Sequence, residues 1–156
     1  MSYDLMVFDP QAPPKDREAF LTWYGEQTKW SGGHKYDDPG TTTLALRAWF
    51  MDMIRTFPAM NGPYKSDDVD ADEISDYSIG RSVIYVGFSW SAAETAYDAT
   101  FRMAEKHGVG FFDVSADNGG VWVPGPGGRL ICLHGDAGQH QVESTPAAKK
   151  WWRFWK

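Results

Sequence analysis

Two runs of consecutive apolar residues constrain the fold of this chain most. Leu5-Met6-Val7-Phe8 is entirely apolar, and the segment from Val83 to Phe88 places apolar residues at both odd and even positions. Because successive side chains of a strand point to opposite faces, such runs predict strands that are covered on both faces. A chain of 156 residues is long enough to bury a core of this kind as one domain, without disulfides or a structural metal.

The order of the predicted elements indicates an α+β fold. Helices are predicted from Pro13 to about Trp30, from a cap among Thr41–Thr43 to Pro58, and from the capping box Ser91-Ala92-Ala93-Glu94 to Gly108. This order matches a split β-α-β-β-α-β arrangement with an inserted helix and a C-terminal hairpin, in which a mixed or antiparallel sheet carries its helices on one face. The strands are predicted at residues 3–8, 77–80, 81–88, 109–114, 121–123 and 129–134.

The chain is predicted to form one α+β domain over residues 1–124. Residues 125–156 are predicted to be a C-terminal extension, which begins with the break Gly125-Pro126-Gly127-Gly128 and ends in the aromatic and basic tail Lys149–Lys156. The single Cys132 allows no internal disulfide, and neither a signal peptide nor a membrane-spanning apolar run is recognised. These features predict a cytoplasmic location.

The charge distribution points to the kind of partner. The chain has 15 basic and 21 acidic residues, and the tail holds four of the basic residues and no acidic one. The remaining 148 residues therefore carry 11 basic against 21 acidic side chains, a net charge of −10. An acidic body repels nucleic-acid phosphates and complements a basic protein partner, so we expect a protein partner and no nucleic acid.

An acidic loop is the densest charge cluster. Its start resembles a calcium loop, but the sixth position holds Glu73 where the sharp turn needs Gly, and the twelfth holds Ile79 where a bidentate Glu is needed. The loop therefore predicts a solvated surface for a basic partner, and no metal or cofactor is predicted. Its acidic residues are Asp67, Asp68, Asp70, Asp72 and Glu73.

Two other clusters contain residue types that enzymes use in catalysis. The segment from Gly87 to Ser91 lies between a strand and a helix like a nucleophile elbow, but Ser91 stands where that turn needs Gly. No catalytic residue is predicted, and the chain is predicted not to be an enzyme. The alternative is an enzyme or small-ligand binder with a pocket at His34, Asp37 and Asp38, although an Asp-Pro pair is more typical of a turn.

The tail offers a third possibility. Its tryptophans, Trp151, Trp152 and Trp155, lie among four cations, a composition that suits a membrane interface. The same rings could instead dock on the body of this chain or on a neighbour. Membrane association through the tail is therefore the weaker alternative.

Seven blocks of the sequence carry a resemblance to known proteins: Tyr3–Pro10, Trp23-Tyr24, Tyr36–Pro39, Leu46–Phe50, Phe57–Pro63, Asp76–Gly80 and His107–Asp113. They resemble blocks of a group of small cytosolic proteins of Gram-negative bacteria, and the resemblance covers roughly residues 1–124. Members of this group are similar to immunity proteins, which bind and neutralise a cognate secreted toxin such as a type VI effector. The resemblance implies a toxin-neutralising binding protein and no catalytic residues.

These observations together favour an immunity-type inhibitor that covers a toxin enzyme. The acidic loop is the expected contact surface, with Trp30, His34 and Tyr36 as possible anchors, because aromatic residues dominate the energetic centres of interfaces.

Overall fold

Six strands form one sheet in the computed structural model, which describes residues 1–31, 36–68 and 71–136. Every neighbouring pair of these strands is antiparallel. The order across the sheet is β2-β3-β1-β4-β5-β6, so that β1 and its neighbours β3 and β4 occupy the middle. The strands are β1 (Tyr3–Phe8), β2 (Asp76–Ile79), β3 (Val83–Phe88), β4 (Gly110–Phe112), β5 (Val121–Pro124) and β6 (Leu130–His134).

Three α-helices accompany the sheet in the described chain, and the α+β class is confirmed. They are α1 (Arg17–Gln27), α2 (Leu44–Met53) and α3 (Ala93–His107). The split β-α-β-β-α-β order is present as β1, α1, β2, β3, α3 and β4, with α2 as the inserted helix and β5–β6 as the C-terminal hairpin.

Both faces of β1 are buried, as its apolar run predicts. Leu5 and Val7 belong to the larger core, which α2 and α3 complete, whereas Met6 and Phe8 belong to a second core with Phe20 of α1. Since alternate residues of a strand point to opposite faces, α1 packs on the face opposite to α2 and α3. The prediction that the helices share one face therefore holds for α2 and α3 and is wrong for α1.

The helix ends follow from local hydrogen bonds. The Asp16 side chain accepts a hydrogen bond from the Ala19 backbone N–H at 2.9 Å, so α1 starts after this cap and not at Pro13, and it ends at Gln27 instead of Trp30. The predicted threonine cap of α2 is confirmed, because Thr43 accepts from the Leu46 N–H at 3.2 Å.

The start of α3 differs from the prediction, whereas its end does not. A short 3₁₀ turn at Trp90–Ala92 precedes the helix, and the Ser91 hydroxyl lies 2.8 Å from that of Ser89. Ala92 occupies the N-cap position and provides no side-chain cap, so the predicted capping box is wrong. Gly108 ends the helix with φ of +69°, the left-handed conformation that glycine adopts without strain.

The sheet continues beyond residue 124. After the glycine-rich break, β6 pairs with β5 and forms one edge of the sheet, with Leu130 in the larger core. The rest of the predicted extension, residues 137–156, lies outside the described residues, and so do Trp151, Trp152 and Trp155. Within the described ranges, no helix has the length and apolarity that crossing a membrane requires.

Candidate functional site

A cleft of about 420 Å³ lies on the α1 face of the sheet, near its β2 edge. Its floor is built from two pairs of cross-strand neighbours, Asp76 with Gly87 and Ser78 with Tyr85. Gly87 lets the Ser2 side chain pack closely over this floor, because a Cβ atom at position 87 would lie only 3.3 Å from it. The cleft is lined by Ser2, Trp30, Met60, Ile74, Asp76, Ser78, Tyr85, Gly87, Phe88 and Ser89.

Trp30 forms a rigid aromatic wall of the cleft. Its backbone has φ of +53°, a left-handed conformation that is rare for a bulky residue and that needs support from the surrounding structure. The support comes from edge-to-face contacts of its ring with Tyr36, at 5.1 Å between centroids, and with Tyr85, at 6.4 Å.

A hydrogen-bond network holds Tyr85 in place. Its hydroxyl donates to the carboxylate of Asp4, which also accepts from the hydroxyl of Ser2, and Tyr24 forms a further hydrogen bond with Tyr85. Burial raises the pKa of Tyr85, and the hydrogen bond to Asp4 raises it further, so this hydroxyl stays protonated. The Asp4 backbone N–H in turn donates to the Ser115 hydroxyl at 2.7 Å, which ties the network to the loop after β4.

The electrostatic character of the cleft is acidic. Asp76 lies at its floor, Asp4 lies behind Tyr85, and its described lining residues include no Lys, Arg or His. A cation that lies between a carboxylate and an aromatic ring is favoured by charge, and also by the quadrupole of the ring where the cation lies over its face. The arrangement is therefore suited to a Lys or Arg side chain.

Two of the three predicted anchors, Trp30 and Tyr36, lie at or beside the cleft. Trp30 lines the cleft, and Tyr36 supports it from behind, since its ring packs on Trp30 and its carbonyl accepts from the Ile79 N–H at 2.7 Å. His34 lies outside the described residues.

The acidic loop adjoins the cleft. Asp67, Asp68, Asp72 and Glu73 are exposed, and Glu73 directly precedes Ile74, which lines the cleft. Asp70 lies outside the described residues. In the parts of the chain that the structure describes, no group of three His, Cys, Asp or Glu side chains could hold a metal ion.

The predicted alternative pocket is a separate, wide groove. Asp37 and Asp38 line a cavity of about 670 Å³ together with Thr41, Gly62 and Lys65. The carboxylate of Asp38 accepts from the Gly40 N–H at 2.8 Å and caps a 3₁₀ turn, which is the structural role that an Asp-Pro pair favours.

The described histidines are engaged elsewhere. His107 Nε2 lies 2.6 Å from the Asp52 carboxylate, where it links α3 to α2. His134 Nδ1 lies 3.3 Å from a nitrogen of Arg17, and burial lowers the pKa of His134. Ser89 lines the cleft, but its hydroxyl interacts with that of Ser91 and not with either imidazole.

Of the lining residues, only Trp30 is predicted as a site residue from the sequence, and the polar residues missed include Asp76, Ser78 and Tyr85. The signal that could have found two of them is the alternation of Asp76 and Ser78 with the buried Tyr77 and Ile79, which gives β2 one polar face.

Comparison of the chain with protein-family models, with curated proteins and with solved structures finds no match.

Proposed function

We propose that this chain is an immunity-type binding protein, which neutralises a cognate toxin enzyme by protein–protein contact. In this proposal, basic side chains of the toxin enter the cleft at Trp30 and Asp76. The observation that carries the proposal is the cleft itself, which joins a rigid aromatic wall to a carboxylate floor with no cation among its described lining residues.

The chemistry of the cleft supports recognition of a basic partner. Tryptophan and tyrosine in a preformed pocket are typical centres of interface energy, because little side-chain freedom is lost when a partner binds. Trp30 is already fixed by its contacts with Tyr36 and Tyr85, and Tyr85 is fixed by Asp4. A Lys or Arg side chain could lie against the indole and reach Asp76 without rearranging the site.

The surroundings of the cleft support the same partner. The exposed acids of the loop lead to Ile74 at the cleft, and the first 148 residues carry a net charge of −10. Such a potential speeds the encounter with a basic protein and disfavours acidic partners. The resemblance of residues 1–124 to immunity proteins agrees with this role.

The proposal is tested by affinity capture of partners from native lysate, followed by identification by mass. The wild-type chain is compared with Asp76→Lys, which reverses the charge of the cleft floor, and with Glu94→Lys. Glu94 is an exposed residue of α3, so its substitution gives the same change of net charge away from the cleft.

We expect wild type and Glu94→Lys to retain one basic protein that salt releases, and Asp76→Lys to lose it. We also expect wild type and Glu94→Lys to inhibit the enzymatic activity of the isolated partner, and Asp76→Lys to lose this inhibition. Equal capture by all three chains would contradict the role of the cleft, and a captured partner that the chain does not inhibit would contradict the immunity function.

A further inference from the structure

A second cavity, of about 360 Å³, lies on the α1 face at the opposite end of the sheet. The segment between β1 and α1 forms one wall, and the β5–β6 hairpin forms the other. We call it the proline groove, since three prolines of the first wall face apolar residues of the hairpin. Its principal lining residues are Pro10, Pro13, Pro14, Val123, Ile131 and Leu133.

The proline groove leaves unusual apolar surface uncovered. Ile131 is 48% exposed and Leu133 is 39% exposed, and both belong to β6, an edge strand of the sheet. Proteins generally cover or charge such edges, because exposed apolar edge strands promote association. The helix α1 lies on this face but packs against Phe8, Phe112 and Val121 through Phe20, so it leaves the outer part of the hairpin open.

The chain itself supplies an occupant of matching chemistry. The described residues end at Asp136, two residues after β6, and 20 more residues follow. Residues 137–148 can span at most about 40 Å, more than enough to return to a groove whose wall is β6 itself. The tail Lys149–Lys156 then brings three tryptophans and one phenylalanine, each able to bury roughly 150–250 Å² of surface against prolines and aliphatic side chains.

The charges are also compatible. Among the described residues that line the proline groove, Lys15 alone is charged, and the acids Asp9 and Asp16 adjoin its first wall in the sequence. The four cations of the tail could lie towards these acids while the rings enter the groove.

We propose that the tail Lys149–Lys156 docks in the proline groove of its own chain and covers the exposed face of the β5–β6 hairpin. Attachment favours this over a second molecule, because a short tether provides an effective concentration of about 1 mM. A contact with an intrinsic Kd of about 100 µM would then be formed in roughly nine molecules of ten. This inference is independent of the proposed function, since the cleft lies at the other end of the sheet.

The test uses the backbone amide NMR spectrum of the full chain. Trp151, Trp152 and Trp155 are replaced together by Ala, and the amides that line the groove are followed. We expect shifts at Gln11, Lys15, Val123, Ile131 and Leu133, and the same spectrum after tenfold dilution of either chain. Shifts confined to the neighbours of the substituted residues would overturn the proposal.

A second variant changes the proline groove itself, by Ile131→Thr with Leu133→Thr, and is combined with the tail substitutions. Threonine has the β-branched shape that strands prefer but carries less apolar surface than isoleucine or leucine. In this background the tail substitutions should no longer shift the amides of the groove. The control Leu21→Gln changes an α1 residue that is 40% exposed, and it should preserve the response.

Two further outcomes identify other occupants, and each would overturn the proposal. If the groove shifts disappear on dilution, a second copy of the chain occupies the groove. If the tail substitutions leave the groove amides unmoved but abolish binding of the chain to phosphatidylserine vesicles, the tail binds membranes instead.

Discussion

Substitution of Asp113 by Asn should stabilise the protein at alkaline pH. Asp113 directly follows β4, and its Oδ1 atom is buried without a hydrogen-bond partner among the described residues. Burial raises the pKa of Asp113 to about 6, although a hydrogen bond from the Ala116 backbone opposes this shift. The ionised carboxylate is therefore unfavourable in the folded protein at neutral pH.

The size of the effect follows from the pKa difference. The folded value of about 6 exceeds the ordinary unfolded value of about 3.9 by roughly two units, which corresponds to at most about 3 kcal/mol. Because Asp113 is partly accessible to solvent, screening reduces this, and we expect about 1–2 kcal/mol. A raised pKa gives a contribution to stability that is complete below the unfolded pKa and is lost as the pH rises through about 6.

The assay is urea unfolding of wild type and Asp113→Asn at about pH 4 and about pH 8. From about pH 4 to about pH 8, the free energy of unfolding of the variant should rise by about 1–2 kcal/mol relative to that of wild type. Any pH-independent effect of the amide cancels in this difference. Asp117→Asn, an exposed residue of the same turn, is the control and should show no such gain. A pH-independent difference for Asp113→Asn would refute the reasoning.

Three further substitutions test the packing of the fold by thermal or urea unfolding. Tyr77→Phe should destabilise by about 1–2 kcal/mol, because the buried Tyr77 hydroxyl donates to the Phe57 carbonyl at 2.7 Å; an unchanged midpoint would contradict this. Gly108→Ala should cost about 1 kcal/mol through the φ of +69° alone, since a Cβ atom there meets nothing within 4 Å, and a stabilised variant would refute that explanation. The hydrogen bonds from His107 and Lys106 lower the pKa of Asp52. The stability that the ionised Asp52 carboxylate contributes is therefore present above the ordinary pKa of Asp, and it is lost as the pH falls through the lowered pKa. Asp52→Asn should therefore destabilise at neutral pH, and an equal loss in acid would contradict the link.

The sequence predicts the elements of the fold better than their arrangement. The runs at Leu5–Phe8 and Val83–Phe88 identify the central strands, because apolar residues on both faces are typical of strands that are covered on both sides. The prediction that both faces are covered holds for β1, but β3 leaves Tyr85 and Gly87 open as part of the floor of the cleft. The sequence predicts α1 itself but not the face of the sheet on which this helix packs. The predicted cap at Ser91 is wrong because the preceding 3₁₀ turn moves the helix start to Ala93, a tertiary detail without a local signal.

The cleft was only partly predictable. Trp30 and Tyr36 are identified from the sequence as possible anchors. Their contact depends on the left-handed backbone of Trp30, and a tryptophan gives no reason to predict that conformation. Tyr85 and Ser78 come together through the register of β2 and β3. Since register is set by the whole sheet, neighbours across strands cannot be assigned from one strand alone.

Site-specific photo-crosslinking can show whether a basic protein partner contacts the cleft. A photoreactive methionine analogue is placed at Met60, which lines the cleft and is 48% exposed, or at Met51 of α2, which is 36% exposed and lies outside the cleft. We expect illumination in lysate to link a single basic protein to position 60 and not to position 51. Crosslinking of that protein at position 51 alone would show that the partner does not contact the cleft.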